Sequence, residues 1–297
     1  MAQDVVNILV LAAVYLLFAL GMSLAWGTIG ILNFAHGSVF MFSAFVDYLI
    51  VRDMELPILP MILVGMAVGA ALSVAAQVLA FEPIVKRAKD VHAASLQILI
   101  AGIGIAIIPL AIAQKVTLNT PFGFSGSSFR IDTFAWGGDV RISNAQLLII
   151  ACGVVFGGGT ALWLRKSRSG LALRSIGVDA ETASMMGINR RALAIGAMAL
   201  AGALAGLAGV LLTYNLGAIA PQTGDALLLK AFAATVLGGV GSIAGVMAGA
   251  TILAIAETLV LTHTSGTWVD AVSFGLIFIV LLLRPQGLLG RREVRRT

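Results

Sequence analysis

Nine apolar runs, separated by short polar stretches, occupy this chain almost from end to end. They are Val5–Trp26, Gly37–Val51, Pro57–Phe81, Ala93–Ala113, Ala145–Leu164, Ala192–Thr213, Ala226–Val240, Gly245–Leu261 and Trp268–Leu283. A helix needs about 20 predominantly apolar residues to cross a hydrocarbon core. Most of the runs reach that length, and three or four are short. In lipid every backbone polar group must be satisfied within the protein, which leaves helices as the spanning element for runs of this kind. The fold class expected is therefore all-α: a polytopic transmembrane helical bundle of about eight or nine spans, counting short or re-entrant segments, in a single domain over residues 1–297.

Charge supports this. Only 11% of the 297 residues are charged and 59% are hydrophobic, whereas a soluble domain carries about 25% charged residues. Cys152 stands alone in an apolar run, so no intrachain disulfide exists and a small core hydrophobe is the simplest reading. Met1–Asp4 lacks a basic region and leads straight into apolar sequence, which reads as a first span and not a cleaved signal.

Basic residues cluster in three places: Lys86, Arg87 and Lys89 within Phe81–His92; Arg165, Lys166, Arg168, Arg174, Arg190 and Arg191 within Arg165–Arg191; and Arg284, Arg291, Arg292, Arg295 and Arg296 in the tail. These are topology signals, not a nucleic-acid surface. All three face the cytoplasm if the spans alternate regularly, and the C-terminus is then cytoplasmic. The Ser/Gly/Phe-rich segment Gln114–Asn144 faces outward, as does the N-terminus. No stretch between runs approaches the lower size limit of a folded domain, about 50 residues.

Two runs are interrupted by glycine. One break spans Gly27–His36; the other, Gly238–Gly245, contains Gly-Gly-Val-Gly-Ser. Such segments are full crossings or re-entrant turns, and irregular backbone at membrane depth survives only where protein or a water-filled cavity shields it.

No nucleotide-binding motif is present, and no lysine follows a glycine as a P-loop requires. There is no H-E-x-x-H and no G-x-S-x-G. His36, His92 and His263 fall in three separate segments, so nothing in their spacing suggests a metal site. No cofactor is expected on this chain. The loop Gly170–Asn189 reads as a short amphipathic helix at Val178–Met186, with Asp179 as N-cap and Gly187 as its stop. Its alanine and methionine surface suits docking into a partner groove, or lying on lipid headgroups; the two readings stand open.

Gly27–Met41, GTIGILNFAHGSVFM, resembles the N-terminal signature of permease subunits of branched-chain amino acid ABC importers. Ala231–Gly249, AFAATVLGGVGSIAGVMAG, with Ala254–Glu257 beyond it, is similar to their later signature, and Leu283–Gly290, LRPQGLLG, to their end. The loop over residues 165–191 matches the family's coupling loop. The resemblance implies a type II-like ABC importer permease in a bacterial inner membrane. It also implies four kinds of partner: a second homologous permease, two cytoplasmic ABC ATPase subunits that bind the ATP, an extracytoplasmic substrate-binding protein, and the lipid bilayer. The family includes urea and short-amide importers as well.

For individual residues, Asn33, His36, Gly238, Gly239, Gly241 and Ser242 are candidates for the translocation path or its gate. Asn33 and His36 have a second reading, in which they cap the helix that starts near Gly37. Arg174, Asp179, Glu181, Met186 and Gly187 are the candidates for ATPase coupling. Glu257 and Asp270 are expected near the outer ends of their spans, solvated or meeting the binding protein. Asp47 has Arg52 as a possible partner. An ion-coupled secondary transporter is the main rival; it would require intramembrane carboxylates, and here the carboxylates are expected mostly at span ends.

Overall fold

The computed structural model describes residues 2–30, 33–88, 90–135, 140–178, 180–264, 266–284 and 286–290. The chain is a helical bundle. In order its helices are α1 (Ala2–Ile29), α2 (Ala35–Asp53), α3 (Ile58–Ala76), α4 (Glu82–Arg87), α5 (Val91–Thr117), α6 (Asn144–Cys152), α7 (Gly158–Lys166), α8 (Arg168–Val178), α9 (Ala180–Met185), α10 (Arg190–Leu216), α11 (Thr223–Gly238), α12 (Ile243–His263) and α13 (Val269–Leu283). A π-helical turn at Gln77–Phe81 joins α3 to α4, and another at Gly153–Gly157 joins α6 to α7. Each pair therefore runs on as one continuous rod, Ile58–Arg87 and Asn144–Lys166.

Among the described residues, seven helices are long and apolar enough to cross a membrane. The remaining two of the bundle, α2 and α11, are shorter or more polar. They are the helices that follow the first break and precede the second.

Helix ends fall where local chemistry places them. Ser143 and Gln146 form a reciprocal capping box at the start of α6. Asp90 caps α5 through the Ala93 N–H, Asn189 caps α10 through Ala192, and Ser242 caps α12 through Gly245.

The core is held by small residues. Water drives no association between helices in lipid, so close van der Waals contact must do so. Gly65 and Gly69 of α3 lie against Gly206 and Gly202 of α10, each glycine facing the other helix's backbone carbonyl. Both pairs have the Gly-x-x-x-Gly spacing that clears one stripe of a helix. A Cβ at any of the four would collide with that backbone or with a neighbouring side chain. As a result α10 is the most enclosed span, while α5 and α13 leave most of their surface bare. On the side of Gln114–Asn144, a two-stranded hairpin pairs β1 (Thr133–Ala135) with β2 (Arg141–Ser143). Phe122 bridges to Ile219, tying this segment to the α10–α11 connection.

Candidate translocation and coupling elements

The first break ends inside the protein. Asn33 and His36 are both buried. The Asn33 Oδ1 accepts the Ala35 N–H at 2.9 Å, and the His36 backbone N–H donates to the Asn33 carbonyl at 3.2 Å. The His36 ring stacks on Phe18 at 4.6 Å, with Nε2–H donating to the Phe18 carbonyl at 3.3 Å. Gly102 of α5 leaves room for this turn: a Cβ there would lie 3.3 Å from the Phe34 nitrogen. Among the described residues two polar atoms stay buried without a partner, Asn33 Nδ2 and His36 Nδ1. Such atoms cost stability unless something satisfies them in another state. Neither side chain reaches an exposed face of this chain.

The second break is a tight turn between two packed helices. Gly238 sits on Gly245, and Ala234 on Gly249, so α11 and α12 approach as closely as backbones allow. Gly239 has φ +101° and Gly241 φ +79°, conformations open chiefly to glycine. The segment that follows α13 then folds back over the turn. The Leu288 N–H donates to the Leu237 carbonyl at 2.9 Å, and the Leu289 N–H to the Gly238 carbonyl at 3.0 Å. These bonds satisfy carbonyls that the end of α11 would leave open. Two sequence signatures far apart in the chain, LGGVGS and LRPQGLLG, are thus two halves of one contact.

The loop over residues 165–191 is more helical than its sequence suggests. Helix α8 precedes the expected short helix and fills the stretch where Gly170 and Gly177 argue against one. Those glycines have a packing role. Gly170 lies against the backbone of Trp163 and Leu164, turning α8 back on α7, and Gly177 rests near the Gly27 carbonyl at the end of α1. The short helix is α9. The Gly187 N–H bonds the Ser184 carbonyl and the Ile188 N–H the Ala183 carbonyl, with Gly187 at φ +82°. That is a Schellman stop at the expected glycine. Met185 and Met186 are exposed, at 84% and 80%. The Arg174 guanidinium donates to the Arg165 carbonyl at 3.4 Å. Asp179 lies outside the described residues, as do the side chain of Glu181, Lys89 and the arginines from Arg291 onward; Asp179 as N-cap therefore has no structural counterpart here.

Two carboxylates are not where the sequence reading put them. Glu257 is 2% exposed, not solvated. Its Oε2 accepts from Tyr15 Oη at 2.6 Å and from Lys230 Nζ at 2.9 Å, and Ser273 Oγ lies 2.8 Å from Oε1. Helices α1, α11, α12 and α13 each supply one member of this cluster. The signal was available: Lys230 is a lone lysine inside the apolar run Ala226–Val240, and an isolated charge in such a run demands a partner. Asp47 is 1% exposed, and among the described residues no ion pair joins it to Arg52. An offset of five residues turns two side chains well away from each other around a helix. Instead the Asp47 carboxylate faces Gly65, with Oδ2 unpartnered among the described residues. Glu257 and Asp47 are thus buried within the bundle, and of the three carboxylates Asp270, with its side chain 75% exposed, is the one left open.

Buried breaks, glycine-packed spans and an interior ion pair define a polytopic helical permease. The chain belongs to the family of branched-chain amino acid transport system permease components, whose family model matches residues 5–281. It is similar to the high-affinity branched-chain amino acid transport system permease protein LivH of Salmonella typhimurium, 31% identical over 304 residues that cover 99% of this chain and 97% of the relative. LivH of Escherichia coli K12 is 32% identical over the same coverage. The corresponding protein BraD of Pseudomonas aeruginosa is 31% identical, covering 99% of this chain and 97% of BraD. No solved structure matches the chain significantly.

Proposed function

We propose that this chain is the membrane-spanning permease subunit of an ATP-driven importer for branched-chain or other hydrophobic amino acids. The carrying observation is end-to-end similarity to LivH and BraD, with 97% of each relative covered. The chain forms the translocation path with a second homologous permease. Two cytoplasmic ABC ATPases supply the ATP hydrolysis, and an extracytoplasmic binding protein delivers the substrate. It resides in a bacterial inner membrane with its C-terminus cytoplasmic, the orientation favoured by the basic residues of Phe81–His92 and Arg165–Arg191.

The loop over residues 165–191 takes the role of ATPase contact. Exposed Met185 and Met186 at the end of α9 offer an adaptable apolar surface to a partner groove. Arg174, Asp179, Glu181, Met186 and Gly187 are assigned to coupling. Through the approach of Gly177 to the Gly27 carbonyl, a shift of α8 reaches the end of α1 and so the first break. Asn33 and His36 at that break, and Gly238, Gly239, Gly241 and Ser242 at the second, are assigned to the edges of the path.

Reconstitution tests the reading. The chain in proteoliposomes with the second permease, the ATPases and the binding protein is expected to take up leucine only when ATP is supplied. Uptake by the chain alone, driven by an ion gradient, would refute it. Reversing charge at Asp179 and Glu181 together is expected to abolish substrate-stimulated ATP hydrolysis at unchanged membrane abundance; normal transport by that double variant would remove the coupling assignment.

A further inference from the structure

We propose that Lys230, Asp270 and Ser273 form a receiving site for a zwitterionic α-amino acid in the cleft between α11 and α13. The inference rests on the importer reading and names where the substrate is held within this chain.

The cleft is lined on its polar side by these three residues and on its apolar side by Leu229, Ala233 and Phe274. The Lys230 side chain is 20% exposed and that of Asp270 75%. A charged pair open to acyl chains is expensive, so this face of the bundle borders water or protein, not lipid.

The ammonium of Lys230 is held but not saturated. It donates to Glu257 at 2.9 Å and lies 3.4 Å from Tyr15 Oη. Asp270 Oδ1 stands 3.9 Å away, beyond hydrogen-bond reach. Among the described residues one of the three N–H donors of Lys230 is thus free, and Asp270 accepts no hydrogen bond. Tyr15 and Ser273 fix Glu257, and Glu257 in turn fixes the lysine. This is the second layer of contacts that a binding group needs to stay aimed.

Charge selects the ligand class. Glu257 offsets Lys230, while Asp270 lies in the first turn of α13, where the helix dipole is positive. Lys230, Glu257 and Asp270 together carry a formal charge of −1, which the dipole partly offsets, and the cleft presents a lysine N–H donor and a carboxylate acceptor side by side. An α-amino acid carries its ammonium and carboxylate on one carbon, close enough together to meet both poles: carboxylate to the free Lys230 N–H, ammonium to Asp270. Its side chain then lies along Leu229, Ala233 and Phe274. A carboxylic acid or an amine of the same size fills only half of the arrangement and leaves a pole unpaired.

Saturation-transfer NMR on the solubilised complete transporter, without its binding protein, tests this with leucine as probe. Leucine is expected to give a signal, and 4-methylpentanoate and 3-methylbutylamine signals about tenfold weaker, the loss expected for one unpaired charged group. Asp270→Asn, a change on an exposed side chain, and Ala233→Phe, which fills the cleft, are each expected to weaken leucine binding by about tenfold. ATP-driven leucine uptake is measured on the same preparations with the binding protein added. Wild-type uptake without a leucine signal, or a leucine signal unchanged in both variants, overturns the site and leaves the importer reading standing. Absence of ATP-driven uptake in the wild type overturns that reading, and the site falls with it.

Discussion

The two glycine-marked breaks look alike in sequence and end differently in space. At Gly238–Gly245 the turn is tied at both helix ends: Ser242 caps α12, and the N–H groups of Leu288 and Leu289 close onto α11. At Gly27–His36 Asn33 Nδ2 and His36 Nδ1 are buried and, among the described residues, unpartnered. A turn tied by such bonds resists rearrangement, because movement must first break them. One with a spare donor, Asn33 Nδ2, and a spare acceptor, His36 Nδ1, gains bonds by moving. On this contrast we propose that the second break holds the bundle together and that the first changes its shape.

Four substitutions test that contrast, in order of expected effect. Gly239→Leu forces a side chain into positive φ and onto the backbone of Gly290. Backbone strain alone costs about 1–3 kcal/mol, and the collision adds to it, so membrane abundance and uptake should both collapse. Retained uptake would mean that the turn has room it does not show. Leu288→Pro removes the N–H that bonds the Leu237 carbonyl and should cost about 1–3 kcal/mol, read as a lowered melting temperature in detergent with uptake falling in step. Asn33→Ala removes the bond to the Ala35 N–H, for about 0.5–2 kcal/mol; here uptake should fall further than abundance. His36→Phe keeps the stack on Phe18, loses one hydrogen bond and deletes an unpartnered nitrogen, so its net effect on stability should lie within about 1 kcal/mol. Uptake should nonetheless drop severalfold at wild-type abundance. If uptake and abundance instead decline together at Asn33 and His36, the first break is as structural as the second and the contrast disappears.

The spans were legible in the sequence because the hydrocarbon core imposes one strong rule, length of apolar run, on every helix that crosses it. The helix stop at Gly187 and the turn at Gly239 were legible for a similar reason, since positive φ selects glycine locally. What lay beyond reach depended on partners far along the chain. Nothing near Glu257 says that Tyr15, Lys230 and Ser273 converge on it, and Asp47 looks like a neighbour of Arg52 until the helix turns it toward Gly65. Helix α8 was hidden by Gly170 and Gly177, whose use is close approach to other segments. Composition records that glycine is present, not whether it serves a turn or a contact.

The docking of residues 286–290 over the second break has a consequence for biogenesis. A ribosome releases these residues after all thirteen helices of the described residues, yet they complete the end of α11, about fifty residues earlier in the chain. Until they emerge, the hairpin of α11 and α12 sits in the membrane with open carbonyls at its turn. The clasp therefore closes only once synthesis has passed Leu289. A chain stopped short of Leu288 would insert its spans and still present an unfinished end to quality control.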